Sequence, residues 1–172
     1  MKRRRIQELK DSDDALKAAK QAAYKLLSFR GRSKSEMIEK LLDKGFDSDT
    51  VDVTLQFLEQ TGLINDRALA NQLSDSLIKK GASKFAVKRK LFERGVDKTM
   101  AEETANNISF EMELTSAESF LNRKLNRLKY NPNDPLSVKK AANALQRRGF
   151  SYEAIQAALK KFTAGHFNEE MI

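Results

Sequence analysis

Residues 91–96 read LFERGV. Fifty positions earlier the chain reads LLDKGF (41–46), and near its end LQRRGF (145–150). Each stretch is Leu, two residues, a base, Gly and an apolar residue. Aligning the chain on Gly45, Gly95 and Gly149 extends the match. Six residues on come Val51, Ala101 and Ile155; ten on, Leu55, Ala105 and Leu159; thirteen on, Leu58, Ile108 and Phe162. Steps of four and three residues keep side chains on one face of a helix. An apolar stripe recurring with this period marks an internal repeat of small units.

The Gly reads as a helix stop. Lys44, Arg94 and Arg148 place a cation at the negative end of a helix dipole. The Gly after each takes the left-handed backbone that a β-carbon penalises. Gly81 reads as a fourth such end. New helices are expected to start at Ser48 or Asp49, at Asp97 and at Ser151, with Thr99 and Glu102 as a capping box. Ser33–Glu36 forms a second capping box, and Asp134 followed by Pro135 gives an N-cap with Pro at the first helical position. A further helix precedes each pair, over about 14–28, 66–80 and 111–130.

No alternating strand pattern of useful length occurs. The predicted fold is all-α, a tandem array of three three-helix repeats, elongated or curved, with contacts mainly between neighbours. The predicted organisation is a basic N-terminal tail over 1–12, repeats over 13–62, 63–110 and 111–162, and a C-terminal tail over 163–172.

Catalytic chemistry finds few parts. There is no Cys, which removes disulfides, thiolate zinc sites and a cysteine nucleophile and fits a reducing cytoplasm. The one His, His166, lies in the polar tail. No phosphate-binding glycine loop occurs. The acid pairs Asp13–Asp14 and Glu102–Glu103 point apart on a helix and lie where helices begin, so they read as dipole partners. No enzyme activity and no cofactor or metal is expected. No apolar run approaches a membrane span, and the basic start is not followed by the apolar stretch of a signal peptide. The chain is expected to be cytoplasmic and monomeric.

Charge carries more information. The net charge is +8 over 172 residues, and the excess is uneven. Residues 11–62 sum to −2, whereas 63–110 sum to +3 and 111–162 to +5. Basic stripes belong to the second and third repeats: Lys84, Lys88, Arg89 and Lys90 in one, Lys140 and Arg147 with Arg123 and Arg127 in the other. Such stripes suit a phosphate backbone or an acidic groove, and equally a solvated helix face. Lys88 falls in the apolar arc of Leu91 and Phe92, where it either snorkels or marks a rim covered by a partner.

Spaced motifs in all three repeats carry a resemblance. Arg30-x-Arg32-Ser33, the Leu41-to-Gly45 stop, and Gly62-Leu63-Ile64-Asn65-Asp66 followed by Leu69 and Ala70 resemble the first repeat and linker of the RecX family, bacterial regulators of the RecA recombinase. Residues 79–96 and 146–162 resemble that family's second and third motifs, so the likeness spans about 15–162. Departures are Ser83-Lys84 where the family usually has Gly-Pro, Lys90 where an acid is frequent, and Leu69 where Phe is common. The first two imply a helix start that is less rigid and more basic.

The resemblance implies a non-enzymatic modulator, mainly an inhibitor, that binds along the RecA–DNA filament. It would restrain filament growth, strand exchange and coprotease activity in DNA repair and the SOS response. Contacts are expected from Arg30, Arg32 and Lys34, from Lys84, Lys88 and Arg89, and from Arg123, Arg127, Lys140 and Arg147, with weak, salt-sensitive binding to single- or double-stranded DNA. Two alternatives stand beside it. One is a helix-turn-helix-like DNA reader, disfavoured because the helices after each Gly are poor in base-reading residues. The other is a generic helical scaffold, disfavoured by the absence of Trp and by three helices per unit.

Overall fold

A computed structural model describes the backbone over 2–128 and 131–164, and side chains over 12–123 and 131–164. Among the described residues there are nine α-helices and no strand: α1 Lys2–Phe29, α2 Lys34–Leu42, α3 Ser48–Gln60, α4 Asp66–Lys79, α5 Lys84–Glu93, α6 Lys98–Asn106, α7 Phe110–Leu128, α8 Pro135–Arg147 and α9 Tyr152–Thr163. The all-α repeat reading therefore holds. The chain divides into two compact units. One takes residues up to Leu69 together with Arg94–Val96; the other takes Ala70–Glu93 and the residues from Asp97 on.

In the first unit, α1, α2 and α3 pack around Ala23, Met37, Leu41, Val51, Leu55, Leu58 and Ile64. Val51, Leu55 and Leu58 are the repeated stripe, all buried. The stop after α2 works as the sequence implies. Gly45 has φ +88°, its N–H donates to Leu42 O at 2.8 Å, and the Phe46 N–H donates to Leu41 O at 3.3 Å. These bonds satisfy carbonyls that the helix end would otherwise leave bare. Phe46 then folds back onto the core. Gly62 at φ +71° makes the same kind of stop after α3.

Three local expectations need correction. The N-cap of α3 is Asp47, not Ser48 or Asp49: its Oδ1 accepts from the Thr50 N–H at 2.9 Å, and an acid one residue earlier reaches the free N–H groups better. The Thr99–Glu102 box does not form. Asp97 alone caps α6, accepting from the N–H groups of Thr99 (2.8 Å) and Met100 (3.3 Å), and Glu102 is taken by Lys88. Helix α1 begins at Lys2 rather than near Asp14, because nothing in KRRRIQELKDSDD, neither Gly nor Pro, stops a helix there. Ser33–Glu36 and Asp134–Pro135 cap α2 and α8 as read.

In the second unit, α7, α8 and α9 pack around Ala117, Phe120, Leu121, Ala141, Leu145, Phe150, Ile155, Ala158 and Phe162. Helices α5 and α6 lie together and bury Val87, Leu91, Ala101 and Ala105. Small residues at Ala117, Ala141 and Ala158 let the helix backbones approach.

The turn before α5 is tied from several sides. Ser83 is fully buried; its hydroxyl donates to Arg148 O at 2.6 Å and accepts from the Ala86 N–H at 3.1 Å. Ser116 Oγ donates to Ala82 O at 2.7 Å, and Arg123 donates to Lys80 O. The helix start without Gly-Pro is thus pinned rather than loosened. A buried serine makes a cap and a cross-link that neither Gly nor Pro offers. Beneath it, the carboxylate of Glu113, 2% exposed, accepts from Ser151 Oγ at 2.9 Å and from the N–H groups of Ser151 (3.4 Å) and Lys84 (3.5 Å). One acid thereby serves the N-termini of both α5 and α9.

The glycine stops differ in what they tolerate. A β-carbon at Gly45 would meet open space, whereas one at Gly149 (φ +77°) would lie 2.8 Å from Phe85 Cδ1. Gly45→Ala should lose only the left-handed penalty, about 1 kcal/mol. Gly149→Ala should lose about 2 kcal/mol or more, because a ring must also move. Urea unfolding followed by helical circular dichroism checks this, and equal losses would show that Phe85 does not depend on the gap at Gly149.

Candidate partner interface

The ten candidate bases fall into two groups once their partners are known. In the first unit, the turn joining α1 to α2 brings Arg30, Arg32 and Lys34 together, but each is engaged. The Arg30 fork lies on the Glu36 carboxylate with both N···O distances 2.9 Å. Arg32 Nε donates to Leu26 O at 3.2 Å, filling a carbonyl in the last turn of α1. Lys34 Nζ pairs with Glu59 at 3.0 Å, and the Lys34 N–H donates to Asp66 Oδ1 at 2.8 Å. These side chains hold the turn together before they offer anything to a partner.

By sequence Arg94 is only the cation of a helix brake. It does more: Nε donates to Glu36 Oε1 at 2.8 Å, and Nη2 donates to Glu36 Oε2 at 3.2 Å and to Gly31 O at 2.7 Å. Two guanidinium groups therefore clasp one carboxylate whose side chain is only 15% exposed. The base before Gly is shared by all three motifs, yet only this copy uses it so. Arg148 instead stacks over the Phe120 ring, 5.1 Å from its centroid. The repeat gave the position but not the fate, which depends on an acid fifty-eight residues earlier in the chain.

In the second unit, Lys88 Nζ lies 2.6 Å from Glu102 Oε1. Its place in the apolar arc is thus explained by a partner on α6. Arg89 and Lys90 share Glu93, at 3.5 and 3.0 Å. Arg123 is spent on Lys80 O. Lys140 stands near Asp134 and helps hold that carboxyl below its ordinary range, after the larger contributions of the Ser137 hydroxyl and the Leu136 N–H. The side chains of Lys84 and Arg147 have no hydrogen-bond or ion-pair partner among the described residues. Arg127 and His166 lie outside the described side chains.

Apolar exposure is the part that charge counting misses. Phe85 and Phe92 on α5 are 60% and 63% exposed. With Lys88, Arg89, Lys98 and Ala101 they line a groove of about 400 Å3 on the α5–α6 pair. The signal was present at Phe92. It follows Leu91, which is fully buried, and adjacent residues on a helix point about 100° apart. Leu42, at the same place in the first motif, is likewise exposed.

Glu36 sets a pH dependence. Burial works to raise its pKa, but hydrogen bonds from Arg30 and Arg94, and then their charges, outweigh this and hold it at about 2 against an ordinary 4.5. A folded-state pKa below the unfolded one gives stability that is present above 4.5 and lost as pH falls toward 2. The full shift corresponds to about 3 kcal/mol; with Arg30 half-exposed, on the order of 2 kcal/mol is expected. Stability measured from pH 6 to 2 should fall over this window, and Glu36→Gln should flatten the fall; an unchanged slope in the variant would remove Glu36 as its source.

The comparisons with known proteins bear on this arrangement. Residues 19–58 match the family model described as RecX, first three-helix domain, and residues 111–159 match RecX, third three-helix domain. The chain is similar to the regulatory protein RecX of Chlorobium phaeobacteroides (strain BS1), 32% identical over 150 residues that cover 87% of this chain and 95% of the relative. It is also similar to the regulatory protein RecX of Amycolatopsis mediterranei (strain U-32), 28% identical over 157 residues that cover 88% and 89%. The crystal structure of RecX from Lactobacillus salivarius shares the fold at a TM-score of 0.78 and 20% identity, covering 88% of this chain and 99% of that one. No helix among the described residues is long and apolar enough to cross a membrane. On the family models and the extent of these matches, the chain belongs to the RecX family of regulatory proteins.

Proposed function

We propose that this chain regulates the RecA recombinase by binding rather than by catalysis. In this reading it lies along the RecA–DNA nucleoprotein filament and restrains filament growth, strand exchange and coprotease activity in DNA repair and the SOS response. The observation that carries the proposal is family membership over nearly the whole chain: a RecX relative matched over 87% of this chain and 95% of its own length.

The charge distribution supports it. The helices that follow the stops at Gly45 and Gly149 do not suit groove reading of duplex DNA. Helix α3 (SDTVDVTLQFLEQ) carries no base, and α9 has its two bases in the last turn, with Lys161 already paired to Glu118. The two candidate bases without a side-chain partner among the described residues, Lys84 and Arg147, lie on α5 and α8. Contact with the filament is assigned first to these two. Arg30, Arg32 and Lys34 come second, because each must give up an internal bond to bind.

The test is the ATPase of RecA on single-stranded DNA, titrated with the full chain, with filament length followed in parallel. Turnover and length that stay unchanged at stoichiometric ratio would refute the proposal. Lys84→Glu with Arg147→Glu should raise the concentration for half-inhibition about tenfold, the loss of roughly 1.4 kcal/mol of charge-assisted contact. Arg30→Glu should also unsettle the Glu36 clasp, so its loss of inhibition should be accompanied by a loss of stability that the first pair does not show.

A further inference from the structure

The groove on the α5–α6 pair is a surface whose chemistry selects its occupant. Two large rings, Phe85 and Phe92, stand seven residues apart on α5. That spacing puts them on one face about two turns, roughly 10 Å, apart. Phe85 is seated: a β-carbon at Gly149 would lie 2.8 Å from its Cδ1 and 2.9 Å from its Cβ, so the ring edge is held against bare backbone while 60% of the residue stays exposed. A ring fixed on one side and open on the other loses little freedom when covered.

The charge around the rings is unbalanced. Lys88 and Lys98 both act on Glu102, and Arg89 and Lys90 share Glu93. With Lys84 at the head of α5, five bases face four acids on this pair, Glu93, Asp97, Glu102 and Glu103. The surplus is positive and small, and it surrounds an apolar floor.

We propose that this groove docks an acidic, amphipathic helical segment of a protein partner, its apolar face over Phe85 and Phe92 and its acids toward Lys98 and Lys84. A helix presents apolar side chains at i, i+4 and i+7, which matches the spacing of the two rings. It needs only one or two acids at the rim, which matches the surplus. A polynucleotide needs a line of unpartnered cations along its phosphates, and here the bases beside the rings already hold carboxylates. A second copy of the same face would set surplus positive charge against itself. The inference rests on the reading of the chain as a RecA regulator, which supplies the partner on which the segment is sought.

The experiment uses the full chain and its Phe92→Ser and Lys98→Glu variants. Phe92 is exposed, and its replacement should leave helical content and thermal unfolding unchanged. Binding is measured to RecA filaments assembled on single-stranded DNA and, separately, to the same DNA without RecA. The expected result is that Phe92→Ser weakens filament binding about tenfold or more, Lys98→Glu weakens it less, and binding to free DNA changes by less than about twofold for Phe92→Ser. Unchanged filament binding by Phe92→Ser overturns the proposal. Equal loss on free DNA also overturns it and assigns the rings to base stacking. If the unaltered chain binds no filament, the regulator reading fails and the inference falls with it; a failure confined to the variants leaves that reading intact.

Discussion

A carbonyl at the end of a helix must find a donor, and at three helix ends of this chain the donor comes from a glycine turned left-handed. The bonds are the same at three stops: Gly45 N–H to Leu42 O with Phe46 N–H to Leu41 O, Gly81 to Ile78 with Ala82 to Leu77, and Gly149 to Gln146 with Phe150 to Leu145. Each stop reverses the chain within three residues and throws the next residue back toward the helix just completed. Phe46 and Phe150 land in the apolar clusters of their units by this route. The stop is therefore a packing device as well as a capping device. Without it, the apolar stripe six to thirteen residues later would have no fixed surface to meet.

This explains why the fold was so legible and the interface less so. The repeated stripe was read from sequence spacing, and all but one of its residues are buried: Val51, Leu55, Leu58, Ala101, Ala105, Ile108, Ile155 and Phe162, with Leu159 partly so. Burial of one helix face is a local consequence of a 3.6-residue period. Caps were legible where only one polar residue stood at the right place, as at Ser151, and ambiguous where several did, as in Phe46-Asp47-Ser48-Asp49, where the first acid won. The fate of each base was not legible, because it depends on acids distant in the chain. Arg94 meets Glu36, Lys34 meets Glu59 and Lys88 meets Glu102. No periodicity within one repeat reports those pairings.

The pairings also change how charge should be weighed. Net charge favoured the second and third repeats as the interface, and the two candidate bases whose side chains have no partner among the described residues, Lys84 and Arg147, come from those repeats. The basic cluster at Arg30, Arg32 and Lys34, which the family resemblance singles out, holds the turn joining α1 to α2. A cation that already holds a carboxylate has been desolvated in part and oriented. Taking it for a partner means breaking one charge pair to make another, with little net gain. A free lysine on a helix surface has no such opposing term.

Architecture and the proposed docking groove meet at Gly149. The position needs glycine for its backbone angle, φ +77°, and would need glycine again for the space that Phe85 occupies. The carbonyl just before it, from Arg148, accepts the hydroxyl of Ser83, which caps the helix on which Phe85 sits. Glu113 then holds the start of that same helix together with the start of α9. So the turn that ends α8 fixes the start, the direction and one exposed ring of α5. A replacement at Ser83 or Gly149 would act on the groove without touching it, by releasing Phe85 from its seat. The repeated geometry of the stop within this chain thus seats an exposed aromatic against bare backbone, and a seated ring loses little freedom when a partner covers it.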